Sequence, residues 1–473
     1  MESNCTIYTV EECVEQGFLA KPLDGNHGGI HPKSSDFIES GIPFVMASDL
    51  KNGGVDTHNC KFISIEQSKT LRKGFAKEGD ILLSHKATIG RTAIVGEIDS
   101  DYIVLTPQVT YYRVLNKSKI NPKYLKYYFD SIEFQNLFEQ WAGGGSTRLY
   151  LGITGQMKLP IKLPPINTQN WIVSNIDSFD SKLALNRQTN QTLEQMAQAL
   201  FKSWFVDFDP VIDNALAAGT AIPDQLQHRV EIRKKAQALQ KQNPKIKPLP
   251  EATQRLFPNE FEHCGDNTLG TYGWIPKGWK KVSLKSFGKV VTGKTPPKKV
   301  DNAYSNIGVP FITPTDVDTD VFALNTARKL TDDGVFAVKN NVIEAGSICV
   351  TCIGSQMGKT VIAPSHSVTN QQLNSIVVGS EFCRNYLFVN LRLRRDELFN
   401  LGSSGSTMPI LNKSSFENLS ILKPCDDSLR SFSQITENYL SKVLLAAQQN
   451  EKLVSIRDRL LPKLISGELQ LAN

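Results

Sequence analysis

This chain is written twice, and that restricts its fold more than any single motif does. Gly41-Ile42-Pro43-Phe44-Val45 returns 267 residues later as Gly308-Val309-Pro310-Phe311-Ile312. Asp49 returns as Asp316 at the same interval, and Gly79-Asp80-Ile81-Leu82-Leu83-Ser84 as Gly346-Ser347-Ile348-Cys349-Val350-Thr351. Gly90-Arg91-Thr92-Ala93-Ile94 returns 268 residues on as Gly358-Lys359-Thr360-Val361-Ile362, and Gly145-Ser146-Thr147 returns 260 on as Gly405-Ser406-Thr407. From there to the C-terminus the interval stays at 260. A chain of 473 residues is too long for one compact core, so it folds as at least two similar units.

Each copy divides again. Residues 1–166 and 273–424 mix short β-branched runs with Gly, Pro and Ser turns and a few helical stretches, such as Pro122 to Phe138. That pattern predicts a mixed α/β domain on modest sheets. Residues 167–209 and 425–473 each read as a long helix, and residues 210–272 as a linker with a short helix. In the first helix Ile172, Ile176, Phe179, Leu183, Asn186, Asn190, Leu193, Ala197, Leu200 and Trp204 are spaced 4-3-4-3 without a break. This is a coiled-coil seam, narrower than the stripe of a helix lying on a globular core. The second helix repeats it less purely, through Phe432, Val443, Asn450, Leu453 and Leu464. The expected fold is therefore α+β, with two mixed α/β domains separated by two long antiparallel coiled-coil helices in a pseudo-two-fold repeat. Leu183, Asn190, Leu193, Val443, Asn450 and Leu453 form the expected seam. A buried seam Asn fixes register, so Asn190 and Asn450, which hold matching positions, are expected near the crossing point. The alternative is two independent helices that each pair with another chain.

Composition excludes more than it assigns. A net charge of +6 and a pI near 8.7 permit nucleic-acid binding without demanding it. The start lacks a signal peptide's basic and apolar regions, and no apolar stretch reaches the roughly 20 residues that cross a bilayer. The expected location is the cytoplasm. Cys349 and Cys352 form a lone C-x-x-C in a strand-like run, whereas structural zinc needs four ligands, so no metal is expected. Gly288-Lys289-Val290-Val291-Thr292-Gly293-Lys294-Thr295 satisfies the phosphate-loop pattern, yet Pro296-Pro297 follows where a helix would have to begin. No H-E-x-x-H, G-x-S-x-G or Asn/Asp-Pro-Pro-Tyr/Phe motif occurs. Acid-x-Lys triplets occur at Asp49-Leu50-Lys51 and Asp180-Ser181-Lys182, the second on the seam helix where a surface ion pair is the ordinary explanation. The chain reads as non-catalytic.

At about 1.5 Å per residue, a helix from Ile172 to Phe205 is on the order of 50 Å long. Such a spacer can hold two domains at the roughly 34–36 Å that separate recognition units along B-DNA. Ser84-His85-Lys86-Ala87-Thr88-Ile89-Gly90-Arg91 and Thr351-Cys352-Ile353-Gly354-Ser355-Gln356-Met357-Gly358-Lys359 join hydroxyls, an amide and basic groups to glycines that let backbone N–H groups approach a phosphate. Two further small polar loops hold Ser146, Thr147 and Arg148, and Ser406 and Thr407. The candidate DNA contacts are Ser84, Lys86, Thr88, Arg91, Ser146, Thr147 and Arg148 in the first copy. In the second they are Lys294, Lys298, Thr351, Ser355, Gln356, Lys359, Ser406 and Thr407. For any one of them a solvated turn is the competing reading.

At these residues the chain resembles the specificity subunit of type I restriction–modification systems. The likeness lies in Thr292-Gly293-Lys294-Thr295-Pro296 followed by Gly308-Val309-Pro310-Phe311-Ile312 and Asp316, and in Gly273-Trp274-Ile275-Pro276-Lys277-Gly278-Trp279. It continues in Leu159-Pro160-Ile161-Lys162-Leu163-Pro164-Pro165, in Phe201-Lys202-Ser203-Trp204-Phe205-Val206-Asp207-Phe208-Asp209-Pro210-Val211, and in the C-terminal Arg459-Leu460-Leu461-Pro462-Lys463-Leu464-Ile465-Ser466-Gly467-Glu468-Leu469. The family's Glu-Gln after Pro-Pro is replaced by Thr168-Gln169 in the first copy and Cys425-Asp426-Asp427 in the second. The resemblance implies two target-recognition domains, each reading half of an asymmetric split DNA sequence. It implies as partners two adenine methyltransferase subunits and restriction/translocase subunits, which would use S-adenosylmethionine, ATP and Mg²⁺; this chain would bind no cofactor itself. A stand-alone DNA-binding or regulatory protein of the same architecture is the alternative. Phe201, Trp204, Phe205 and Phe208 are read either as a partner-docking surface or as a cap of the helix pair against a domain of this chain.

Overall fold

A computed structural model describes residues 5–143, 149–243, 245–318, 320–403 and 409–469. It divides into two compact units, Met1–Ala184 with Glu451–Asn473, and Leu185–Asn450. The two long helices, Ile166–Phe205 and Asp426–Ser466, each contribute part of their length to both units.

In the first unit the strand Ile81–Lys86 lies between Thr88–Ile94 and Val109–Tyr112, antiparallel to both. Its first five residues are all buried, the mark of a strand covered on both faces. These strands belong to a six-stranded sheet that ends, beyond Thr88–Ile94, in Gly54–Val55 and Leu50–Lys51. In a second sheet of five strands Ile42–Val45 runs parallel to Ile103–Leu105. Thr6–Thr9 pairs antiparallel with Pro160–Leu163, just before the long helix begins.

The second unit repeats this wiring. Ile348–Thr351 lies between Thr360–Ile362 and Leu373–Val378, Val309–Ile312 runs parallel to Ser367–Thr369, and Lys280–Ser283 pairs with Ser420–Lys423. The repeat in the sequence is thus a repeat of topology. It is not a repeat of size, because among the described residues the sheet holding Ile348–Thr351 has four strands, with a single bridge from Phe322 to Ile362 beyond Thr360–Ile362.

Within each unit the long helices run antiparallel. In the first, Ile172 and Ile176 share a core with Leu461, Leu464 and Ile465, and Asp180 forms an ion pair with Arg457 at 2.9 Å. In the second, Phe201 meets Phe432, Val443 is buried, and Leu193 packs on the same core. Leu183 is buried in the first unit and Leu453 is partly buried. Asn190 and Asn450 both reach across the helix pair, about one turn apart and without bonding to each other. Asn450 Oδ1 accepts from Asn186 Nδ2 at 2.9 Å, whereas Asn190 Nδ2 reaches the Val443 carbonyl at 3.4 Å. Antiparallel helices pair residues lying on opposite sides of a midpoint, so matching positions need not face each other. The second seam also shifts locally: Leu440 and Leu461 are buried, whereas the neighbouring Tyr439 and Leu460 are only partly so.

The linker holds more helix than expected, Asp209–Ala218 and Gln227–Gln242. Phe208 turns between helices at φ +55°, a conformation costly for a bulky residue, and its complete burial holds it there. Arg229 Nε and Arg233 Nε donate to Asp209 and Asp213 at 2.7 and 3.0 Å. Two cations of the linker's basic run therefore pin one helix to the other. Among the described residues no helix is long and apolar enough to cross a membrane.

Candidate nucleic-acid interface

The exposed loops sit where a buried strand ends and the chain must turn sharply. In the first copy Ala87 and Gly90 adopt φ +64° and +81°. A Cβ on Gly90 would fall 2.2 Å from Gln135 Oε1, and Gln135 Nε2 donates to the Gly90 carbonyl at 2.9 Å, so glycine is required there. In the second copy Gly358 adopts φ +84°, and a Cβ there would lie 2.7 Å from the Arg395 carbonyl oxygen.

Both loops are closed by the same hydrogen bond. The Arg91 N–H donates to Ser84 Oγ at 2.9 Å, and the Lys359 N–H donates to Thr351 Oγ1 at 3.0 Å. Ser84 and Thr351 are fully buried. Their hydroxyls therefore staple the loops from inside and do not reach a ligand, which corrects the expectation that they touch DNA. The sequence could not separate the two roles, because a hydroxyl beside a glycine turn suits either.

The remaining candidates divide by what already holds them. Lys86, Thr88 and Arg91 are exposed. Lys86 has no carboxylate partner among the described residues and sits 5.8 Å from the Tyr150 ring, while Arg91 Nη1 donates to the Ala47 carbonyl at 3.1 Å. Ser355 and Gln356 are exposed, and Lys359 is partly buried and paired with Asp318 at 3.1 Å. Lys294 and Lys298 are exposed beyond the strand Gly288–Thr292, on an irregular loop with no helix behind it. The phosphate-loop pattern has no phosphate-loop geometry. Ser146, Thr147, Arg148, Ser406 and Thr407 lie outside the described residues.

Beneath the first loop lies a group that reading the loop as surface missed. His85 is fully buried. Gln156 Nε2 donates to His85 Nδ1 at 2.7 Å, and His85 Nε2 donates to the Pro107 carbonyl at 3.1 Å. Gln156 Oε1 accepts from the Tyr112 hydroxyl at 2.8 Å, and Thr110 Oγ1 lies 2.6 Å from His85 Nδ1. With Nδ1 accepting and Nε2 donating, the imidazole is neutral, and burial pushes it down to about 4 from an ordinary 6.5. A signal existed: His85 follows closely on the apolar run Ile81-Leu82-Leu83, on a strand that would be covered on both faces.

Phe201, Trp204, Phe205 and Phe208 are each at most 5% exposed. Trp204 packs on Phe257 and Phe432, Phe205 on Tyr386 and Trp279, and Phe208 on Trp279. The docking-surface expectation for these four is corrected: they cement the end of the first long helix into the second unit's core. Cys349 and Cys352 are likewise interior, at 0% and 2% exposure.

A repeated mixed α/β domain with polar, glycine-turned loops on a buried strand, joined to long paired helices, defines a recognition protein. Comparison with known proteins says which kind. Residues 25–195 and 276–453 match the family described as type I restriction modification DNA specificity domain. The type I restriction enzyme HindI specificity subunit of Haemophilus influenzae is 31% identical over 441 residues, covering 90% of this chain and 94% of that one. The MjaIX specificity subunit of Methanocaldococcus jannaschii is 23% identical, covering 94% and 90%. The crystal structure of the S subunit from M. genitalium shares the fold at 13% identity, with a TM-score of 0.52 over 98% of this chain and 96% of that one. The chain belongs to the type I restriction–modification specificity subunits. Its role in that family is DNA recognition, and it is not itself an enzyme.

Proposed function

We propose that the two repeated units read the two halves of a split, asymmetric DNA target. The observation that carries this is the pair of loops: one backbone staple, from Ser84 to Arg91 and from Thr351 to Lys359, presents different exposed side chains in each copy. Lys86, Thr88 and Arg91 face outward in one, Ser355 and Gln356 in the other. Equal framework with unequal tips is what two reading heads for different sequences require. Lysine and arginine supply contacts to phosphates and guanine edges, and glutamine suits adenine. The paired long helices serve as the spacer, and the chain docks two adenine methyltransferase subunits and the restriction subunits. S-adenosylmethionine, ATP and Mg²⁺ act on those partners.

Mapping methylated adenines in cells with and without this gene tests the reading. A two-part motif that vanishes with the gene is expected. An unchanged methylome in cells that express the chain with an active methyltransferase would overturn it.

A further inference from the structure

The first unit contains a cleft of about 320 Å³ beside Lys86. Ligand pockets run from about 300 to 1,000 Å³, so this one holds a single small ring system and little more. Its walls are aromatic. Phe37 and Phe44 lie 5.7 Å apart between ring centroids, and His31 lies 5.6 Å from Phe44. Its lining also carries unspent hydrogen bonds. Thr106 is 5% exposed, and its Oγ1 has no partner among the described residues; neither has the buried Nδ1 of His31. Folded proteins rarely leave such buried polar atoms unpaired. Gln108, whose amide both donates and accepts, and the basic Lys86 also belong to the lining.

One stretch of the lining, residues 106–108, is held by its backbone. The Thr106 N–H donates to the Val45 carbonyl at 3.0 Å, the His85 N–H to the Gln108 carbonyl at 2.9 Å, and His85 Nε2 fixes the Pro107 carbonyl at 3.1 Å. An acyl chain would leave the polar atoms unpaired, and an inorganic anion would waste the rings. A heteroaromatic ring with a polar edge satisfies both, and a phosphate on the same ligand would suit Lys86.

We propose that this cleft takes a single nucleobase. Resting on the reading of the first unit as a DNA reader, its source is one nucleotide of the first half-site, turned out of the base stack. The ring stacks against Phe37 and Phe44, its polar edge meets Thr106 and Gln108, and Lys86 holds the adjoining phosphate.

The test uses the full chain and duplexes bearing its target as mapped by methylation, with 2-aminopurine placed at each position in turn. This adenine analogue brightens when unstacked. One position of the first half-site is expected to brighten severalfold on binding, and no position of the second. Gln108→Ala and the near-isosteric Thr106→Val should each cut that rise at least threefold while leaving discrimination at the second half-site unchanged. A parallel titration uses 5′-mononucleotides without DNA. Saturable binding abolished by the same variants, with no brightening in any duplex, would keep the nucleobase pocket and assign it a free nucleotide. No brightening and no mononucleotide binding, in a chain that still selects its split target, overturns the pocket and leaves the DNA reading intact. Loss of target selection in the wild-type chain overturns that reading instead, and the mononucleotide titration still decides the pocket.

Discussion

In the first copy the buried stretch beneath the exposed loop ends on His85; in the second it ends on Cys352. The two residues occupy one slot. The His85 N–H donates to the Gln108 carbonyl and its own carbonyl accepts from Leu151, as Cys352 does with Gln372 and Leu411. Around them the chemistry diverges. Gln156 in the first copy stands 260 residues before Phe416 in the second, and both are fully buried. Sheet register places Tyr112 where the second copy has Ile376, and Thr110 where it has Asn374. One copy thus supports its loop on a closed hydrogen-bonded network and the other mainly on packed apolar volume. A buried network is worth its desolvation only while complete, whereas an apolar filling fails in proportion to the volume removed. The same backbone was kept and its support changed, which lets each loop vary without disturbing the other.

Breaking the two supports should give different signatures. Phe416→Ala is expected to cost about 3–5 kcal/mol by denaturant unfolding, from lost burial and the cavity left behind. Gln156→Leu removes almost no volume yet strands the Tyr112 hydroxyl and takes one of two partners from His85 Nδ1, and is expected to cost about 2–3 kcal/mol. Equal tolerance of Gln156→Leu and a surface substitution would refute the network.

Acid should separate the copies next. His85 is held near 4 against an ordinary 6.5, so the unfolded chain binds the proton first as pH falls. The resulting stability is full above about pH 6.5 and is lost toward pH 4, amounting to about 3 kcal/mol. His85→Asn should flatten the stability–pH profile in that window. Cys352→Ser, in the second copy, should leave its slope unchanged.

Smaller effects come from the staples and tips. Ser84→Ala should cost about 1 kcal/mol of stability for its hydrogen bond to the Arg91 N–H, and Thr351→Val about 1–2 kcal/mol, because Thr351 Oγ1 also donates to the Gln356 carbonyl at 2.6 Å. Each should weaken discrimination only at its own half-site. Lys86→Ala should lower the salt dependence of DNA binding by about one ion, since its ammonium has no carboxylate partner among the described residues. Lys359→Ala should change it less, because Asp318 already pairs with that lysine at 3.1 Å.

Much of this was legible in the sequence because a repeat and a period survive without knowledge of contacts. The drift from 267 to 260 marked the domains as variable, and the 4-3 spacing marked both long helices. Facing partners were not legible. Asn186 meets Asn450 across 264 residues of chain, and a heptad pattern does not say which turn faces which. Nor could composition tell Phe201, Trp204, Phe205 and Phe208 as an internal cement from a docking surface, since both demand large apolar rings. Ser84 and His85 looked like loop residues because the strand runs on to Lys86, one residue past the buried stretch. The cleft escaped because its lining comes from residues 27 to 46, 86 and 106 to 108, which share no motif.

Two unlike, separately readable heads are what the proposed function requires of this chain. Exchanging residues 1–166 for the corresponding part of a relative with a different target, then mapping methylated adenines, addresses this directly. One half of the recognised motif should change completely while the other half keeps its sequence. A motif that changes in both halves, or in neither, would contradict the assignment of one half-site to each copy.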